Sequence, residues 1–183
     1  MQIQAIETSY KGYRFRSRLE ARWAVFFDAL GIEWRYEMEG YELPAGRYLP
    51  DFYIPHLDCW IEIKGEKPTE LEQEKVSQLA SQQKKAAYLF FGEIPWIDDH
   101  GEIEKPADCA IALFEFGWDH DYRWCQCTQC GKFGIQFSGC GDRICARATC
   151  PTAKEYGADN TPALKAAYEA ARSARFEYGE NPA

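Results

Sequence analysis

The chain has 183 residues, 46% of them apolar and 27% charged, and a formal net charge of −8. That length favours one domain with room for a small second one, and the composition excludes a disordered, collagen-like or coiled-coil chain. The longest apolar runs, Ala86–Phe91 and Cys109–Phe114, fall far short of the roughly 20 residues that span a bilayer. The first residues lack a basic stretch followed by an apolar one, so no signal peptide is expected.

An acidic chain does not coat nucleic acid by charge alone. The charge is uneven, however. Lys11, Arg14, Arg16, Arg18 and Arg22 face only Glu20 between Tyr10 and Trp23, whereas Lys105 is alone among the acids of 93–108. Six of the eight cysteines (Cys125, Cys127, Cys130, Cys140, Cys145 and Cys150) crowd into one stretch, and Cys59 and Cys109 stand apart. Such clustering without a secretory signal favours metal over disulfides and a reducing, cytoplasmic setting.

In chain order, Ile3 and Ala5 alternate as in a short strand. Ser17-Arg18-Leu19-Glu20 has the form of a capping box, with Glu20 reaching back to the Ser17 N–H. Leu19, Trp23, Phe26, Phe27 and Leu30 follow at helical spacing and Gly31 suits a C-cap, which predicts a helix over 18–30. Three strands are expected next: 32–38, 47–54 interrupted by Pro50, and 59–64, the last two joined by a turn at 55–58. Pro68 suits the first turn of a second helix over 69–84, and 87–91 reads as a buried strand. The order is αβββαβ. Residues 93–108 read as an acidic loop and 109–116 as a strand. A last helix is expected at 162–177, capped by Thr161 with Pro162 behind it, packing on the core or on a second subunit.

On the third strand Glu62 and Lys64 share a face, with Ile61 and Ile63 on the other. A hairpin centred near His56-Leu57 sets Asp51 opposite Glu62, although a longer loop shifts that register by one. Two opposed acids repel unless a cation sits between them, and Mg²⁺ takes one or two carboxylates with waters and phosphate oxygens. A lysine beside them can orient water or balance charge at phosphorus. His56, His100 and His120 are scattered and suggest no triad.

Pro50-Asp51, an eleven-residue step and then Glu62-Ile63-Lys64 resemble the signature of the PD-(D/E)XK nuclease superfamily, on the expected strands of its αβββαβ core. Ser17–Trp23 resembles the first helix of phage-encoded and TnsA-like members, and the likeness covers about residues 10–92. It implies an α/β nuclease core over 1–120 with Glu20, Asp51, Glu62 and Lys64 as catalytic residues. Asp51, Glu62 and the Ile63 carbonyl would bind Mg²⁺ or Mn²⁺. The implied activity is a DNA endonuclease in phage or mobile-element DNA processing or recombination, acting through metal-activated water. The alternative is a catalytically silent zinc-ribbon protein that binds nucleic acid or assembles with partners.

Cys127-Thr128-Gln129-Cys130-Gly131 has the form of a zinc knuckle, and a closed structural Zn²⁺ site needs four ligands. Cys145 and Cys150 are the favoured second pair, with Cys140 and Cys125 as alternates, in a ribbon over 121–153 followed by a C-terminal helix and tail over 154–183. Some members of the family carry an iron–sulfur cluster, but with one cysteine ahead of the nuclease motifs. None precedes Asp51 here. Basic residues interleaved with aromatics at 10–18 nominate Lys11, Arg14, Arg16 and Arg18 for nucleic-acid contacts. A protein partner or homodimer is compatible with this reading, and no membrane is expected.

Overall fold

The computed structural model describes residues 6–104, 110–114, 117–120, 122–137, 143–144 and 157–176. It is a mixed α/β fold. The chain opens with a hairpin of β1 (Thr8–Tyr10) and β2 (Tyr13–Phe15). Lys11 and Gly12 both have positive φ at its tip, as a tight hairpin turn requires. Ile3 and Ala5, expected to alternate in a strand, lie outside the described residues.

Helix α1 (Arg18–Ala29) buries Trp23, Phe26 and Phe27. It ends in a Schellman turn: Gly31 at φ +66° donates to the Asp28 carbonyl, and Ile32 N–H to that of Phe27. The expected strand over 32–38 shrinks to β3 (Arg35–Tyr36). Ile32 is spent closing the helix, and Glu37 at φ +44° leaves the extended region.

The strand expected over 47–54 is two strands. β4 (Tyr41–Leu43) and β5 (Gly46–Tyr48) form their own hairpin. After Pro50, which offers no N–H to a ladder, β6 (Phe52–Ile54) joins the main sheet. β7 (Cys59–Lys64) leads to α2 (Glu70–Gln83), which has a complete capping box between Thr69 and Glu72. Pro68 therefore precedes the cap instead of starting the helix. β8 (Ala87–Phe91) returns parallel to β7.

The acidic stretch after residue 93 is not all loop, since β9 (Trp96–Ile97) and β10 (Ile103–Glu104) pair there. β11 (Ala110–Phe114) and β12 (Gly117–His120) extend the main sheet. β13 (Tyr122–Gln126), β14 (Phe133–Phe137) and β15 (Arg143–Ile144) make a smaller sheet, and α3 (Pro162–Ser173) follows.

The main sheet runs β12-β11-β8-β7-β6-β3, with only β7 and β8 parallel. β7 is covered on both faces, which explains its near-continuous burial. On one face Ile61 and Ile63 join Phe52, Tyr88 and Phe90 under α1 and α3. On the other, Trp60 joins Leu89 and Phe91 under α2 and the β4–β5 hairpin. Trp124 and Ile135 belong to the first of these cores. A fully buried side chain of this size contributes about 1.5–3 kcal/mol, so the strand that carries the acids is held firmly from both sides.

Candidate active site

β6 and β7 pair as Phe52 with Ile61 and Tyr53 with Trp60. Continued one step, that register sets Asp51 against Glu62. The Pro55–Asp58 turn fixes it, with the Leu57 N–H on the Ile54 carbonyl at 3.2 Å. The two acids are laced to each other's strands. Asp51 Oδ2 accepts from the Ile63 N–H at 2.7 Å, and Glu62 Oε2 accepts from the Asp51 N–H at 3.3 Å. Asp51 is 2% exposed and Glu62 4%.

Two carboxylates in such a place need positive charge nearby. Lys64 Nζ lies 2.9 Å from Glu62 Oε1, and Arg16 Nη2 lies 2.6 Å from Asp51 Oδ1. Burial, Glu62 and Glu20 together hold the Asp51 carboxyl well above the usual carboxylate range, although the Ile63 N–H and Arg16 oppose the shift. Burial works against the charge on Lys64, but Glu62, Asp51 and Glu72 outweigh it and raise its pKa. Arg16 is raised likewise against its burial, by Asp51 first and then by Tyr36, Glu37 and Glu20.

Glu20 stands behind this pair. Its N–H caps onto Ser17 Oγ, but its carboxylate does not reach the Ser17 N–H as a capping box requires. It accepts from the Ser17 hydroxyl at 2.7 Å, the Tyr36 hydroxyl at 2.6 Å and the Arg16 N–H at 3.1 Å. The Tyr36 hydroxyl draws it past the cap, toward the sheet. Glu20 is close enough to raise Asp51, yet its oxygens are engaged elsewhere. Among the described residues, no three His, Cys, Asp or Glu side chains gather at one point.

Sequence reasoning missed three supporting residues. The Tyr48 hydroxyl donates to Glu62 Oε2 at 2.7 Å, and burial with Glu62 raises its pKa. Glu72 Oε1 lies 3.3 Å from Lys64 while its Oε2 holds the Thr69 cap, so one side chain ties the start of α2 to the lysine. Glu37 Oε1 holds Arg16 Nε at 2.7 Å. The Thr69-x-x-Glu72 pattern was the readable clue to Glu72, and for Tyr48 and Glu37 there was none. Arg16, Tyr48, Glu62, Lys64, Glu72 and Lys75 line one open cleft of about 730 Å³ between the β4–β5 hairpin and α2.

The nominated basic residues have acids of their own. Lys11 pairs with Asp28 at 2.9 Å, Arg14 with Glu7, and Arg16 with Asp51 and Glu37. Arg18 lines a hollow with Arg22, Arg172 and Arg175. His56 sits at the exposed turn, where Nε2 lies 3.0 Å from the Phe133 carbonyl.

Cys127 is buried and Cys130 exposed, on a turn closed by the Gly131 N–H on the Cys127 carbonyl at 2.9 Å, with Gly131 at φ +71°. Cys125 is buried on β13. Cys140, Cys145 and Cys150 lie outside the described residues. Among the described residues no helix is long and apolar enough to cross a membrane. Comparisons with protein-family models, with curated proteins and with solved structures each returned no match to this chain.

Proposed function

We propose that this chain is a metal-dependent DNA endonuclease of the PD-(D/E)XK type. The observation that carries the reading is the Asp51–Glu62 pair, opposed across two antiparallel strands, with Lys64 on the same face at the mouth of a cleft. The sheet order and the αβββαβ succession of α1, β3, β6, β7, α2 and β8 support it.

The residues fit a divalent cation. Burial and the neighbouring Glu62 carboxylate suppress the acidity of Asp51, and both acids offer the hard oxygen donors that magnesium prefers. Two carboxylates are also its usual complement, the remainder being water and phosphate oxygens. Asp51, Glu62 and the Ile63 carbonyl would hold Mg²⁺ or Mn²⁺, which when bound supplies charge neutralisation and an acidified water.

The chain's own residues do the rest. Lys64 keeps its proton, so its ammonium orients water and balances charge at phosphorus instead of acting as the base. Tyr48 and the Asp51 N–H fix the rotamer of Glu62, and Glu72 steadies Lys64. The water oxygen bonds to phosphorus and gives up a proton to solvent, the bond from phosphorus to the 3′ oxygen breaks, and that oxygen takes a proton from solvent. The products are 3′-hydroxyl and 5′-phosphate ends. Glu20 acts on Asp51 through its charge and through Arg16.

In the second segment, Cys127 and Cys130 on their knuckle turn suit half of a tetrahedral Zn²⁺ site. Cys145 and Cys150 are the proposed other half.

The test is cleavage of labelled single-stranded, duplex, flap and four-way-junction DNA with Mg²⁺ or EDTA, run beside Lys64→Ala. Cleavage that requires Mg²⁺ and disappears in the variant supports the reading. Equal cleavage by both proteins, or none from folded protein on any substrate, overturns it.

A further inference from the structure

Arg18 and Arg22 stand one turn apart on α1. Arg172 lies in the last turn of α3 and Arg175 just beyond its end. Packing of α3 on α1 gathers all four into one hollow of about 270 Å³, with Ser173, Ala174 and Phe176 between them. A second hollow of about 380 Å³ shares Arg22 and Arg172 and is lined by Leu19, Gly65 and Gly92. Gly65 directly follows Lys64, and the Gly92 N–H donates to the Lys64 carbonyl at 3.0 Å. The two hollows therefore lead from the end of α3, over α1, to the back of the strand end that presents Lys64.

Among the described residues, little acid offsets Arg22, Arg172 and Arg175. Glu93 Oε2 is 3.6 Å from Arg172 and its side chain is 78% exposed. Among the described residues no carboxylate lies within ion-pair distance of Arg22 or Arg175. Arg22 Nε is buried without a hydrogen-bond partner. Burial, Arg172 and Arg18 all push the Arg22 pKa down, and only Glu93 opposes them. Arg172 is held in place: it donates to the Ile94 carbonyl at 2.8 Å, and its guanidinium lies over the Trp96 ring. Like charges kept together on a chain of net charge −8 are stabilised by an anion. The run of two joined hollows toward Lys64 suits an extended polyanion.

We propose that Arg18, Arg22, Arg172 and Arg175 form a binding surface for the sugar-phosphate backbone of the nucleic acid cut at Asp51, Glu62 and Lys64. It lies on the α1 face of the sheet, across the strand end from the carboxylate cleft. The assignment rests on the nuclease reading for its substrate. Contacts of this kind set position and affinity and carry no sequence information. The basic β1–β2 hairpin, whose charges are paired within the chain, contributes less.

The test measures binding by fluorescence anisotropy in EDTA, using a fluorescein-labelled duplex and one of its strands over a range of salt concentrations. It compares the full chain with Arg22→Ala/Arg175→Ala and with Lys11→Ala/Arg14→Ala, which removes the same charge. Arg175→Glu, an exposed change at a helix end, is the second variant, and thermal melts check that each protein folds. The expected loss is on the order of tenfold for each arginine, with the slope of log affinity against log salt falling by about 2 in the double variant. The hairpin variant should lose much less. Equal losses from both double variants, or no salt-dependent binding by the wild type, overturn the surface. Mg²⁺-dependent cleavage on the same preparations separates the two claims. Cleavage with unaltered binding by the arginine variants sinks this surface and leaves the nuclease. Binding lost in those variants, from a protein that never cuts, sinks the nuclease and leaves the surface.

Discussion

Arg16 Nη2 reaches Asp51 Oδ1 across 2.6 Å, joining a half-exposed guanidinium to a carboxylate that is 2% exposed. The arginine is the cation nearest the most deeply buried acid of the site. Removing it leaves Asp51 facing Glu62 with only the Ile63 N–H as a bonded donor. Arg16→Ala should therefore lose about 1–3 kcal/mol in urea unfolding at neutral pH with chelator present. The half-exposed state of Arg16 keeps the figure below that of a fully buried pair. Magnesium should recover part of the loss if Asp51 and Glu62 bind it. Unchanged stability in chelator would mean that solvent, not Arg16, satisfies Asp51.

The same crowding has a pH signature. Asp51 holds its proton more tightly folded than unfolded, because burial, Glu62 and Glu20 oppose its charge. The folded chain then binds more protons, so its stability falls as pH rises from the ordinary value of 3.8 through the raised one. Asp51→Asn removes that charge while nearly keeping the shape. It should gain about 1–2 kcal/mol at neutral pH in chelator and flatten this limb of the profile, while abolishing cleavage. A variant that is less stable than wild type at every pH would show that the carboxylate is favourable in the fold.

Glu72 gives the opposite sign. Burial opposes its charge, but the Thr69 backbone and hydroxyl and Lys64 lower its pKa overall. Its contribution is present above the ordinary 4.5 and is lost as pH falls through the lowered value. Glu72→Ala removes the side-chain half of the capping box and the lysine's second partner, and should cost about 1 kcal/mol. It should lower kcat more than it raises KM, because Lys64 loses a constraint without the cleft losing a wall. An effect on stability with kcat unchanged would make Glu72 a helix cap only.

Much of this was legible because local chemistry and tertiary context agreed. The Cys59–Lys64 alternation was written in side-chain period, and the Asp51–Glu62 register followed from a short turn after Ile54 that the residues there only allowed. The site's supports were not. Arg16 reads in sequence as a phosphate ligand and is paired in the fold with Asp51, 35 positions away. Tyr48 reads as one more strand aromatic, and only the separate β4–β5 hairpin aims it at Glu62. Glu20 reads as a cap, and Tyr36 redirects it. Arg172 and Arg175 read as the polar side of an alanine-rich helix, because nothing local tells that α3 lands beside Arg18 and Arg22. Each of these depends on which surfaces meet, and a single sequence carries that information only through the fold it specifies.

Gly157 tests how α3 is seated. The chain reaches α3 through a bridge in which Gln126 and Ala158 exchange hydrogen bonds of 2.8 and 2.9 Å, with the Gly157 N–H on Gln136 Oε1 at 2.8 Å. A Cβ on Gly157 would sit 2.7 Å from Cys125 Sγ, 2.8 Å from Cys125 Cβ and 3.1 Å from the Gln126 carbonyl. Two of those atoms belong to a strand and to a buried side chain that cannot swing away. Gly157→Ala should cost about 1–3 kcal/mol by overpacking. Gly65→Ala, where an added Cβ meets nothing within 4 Å, should stay within about 0.5 kcal/mol of wild type. The cost should be felt beyond the bridge, as faster amide exchange in α3. If Arg172 and Arg175 hold nucleic acid, it should also weaken binding with both arginines intact. A Gly157→Ala protein with wild-type melting and exchange would mean that β13 yields at Cys125, and that α3 is seated without the bridge.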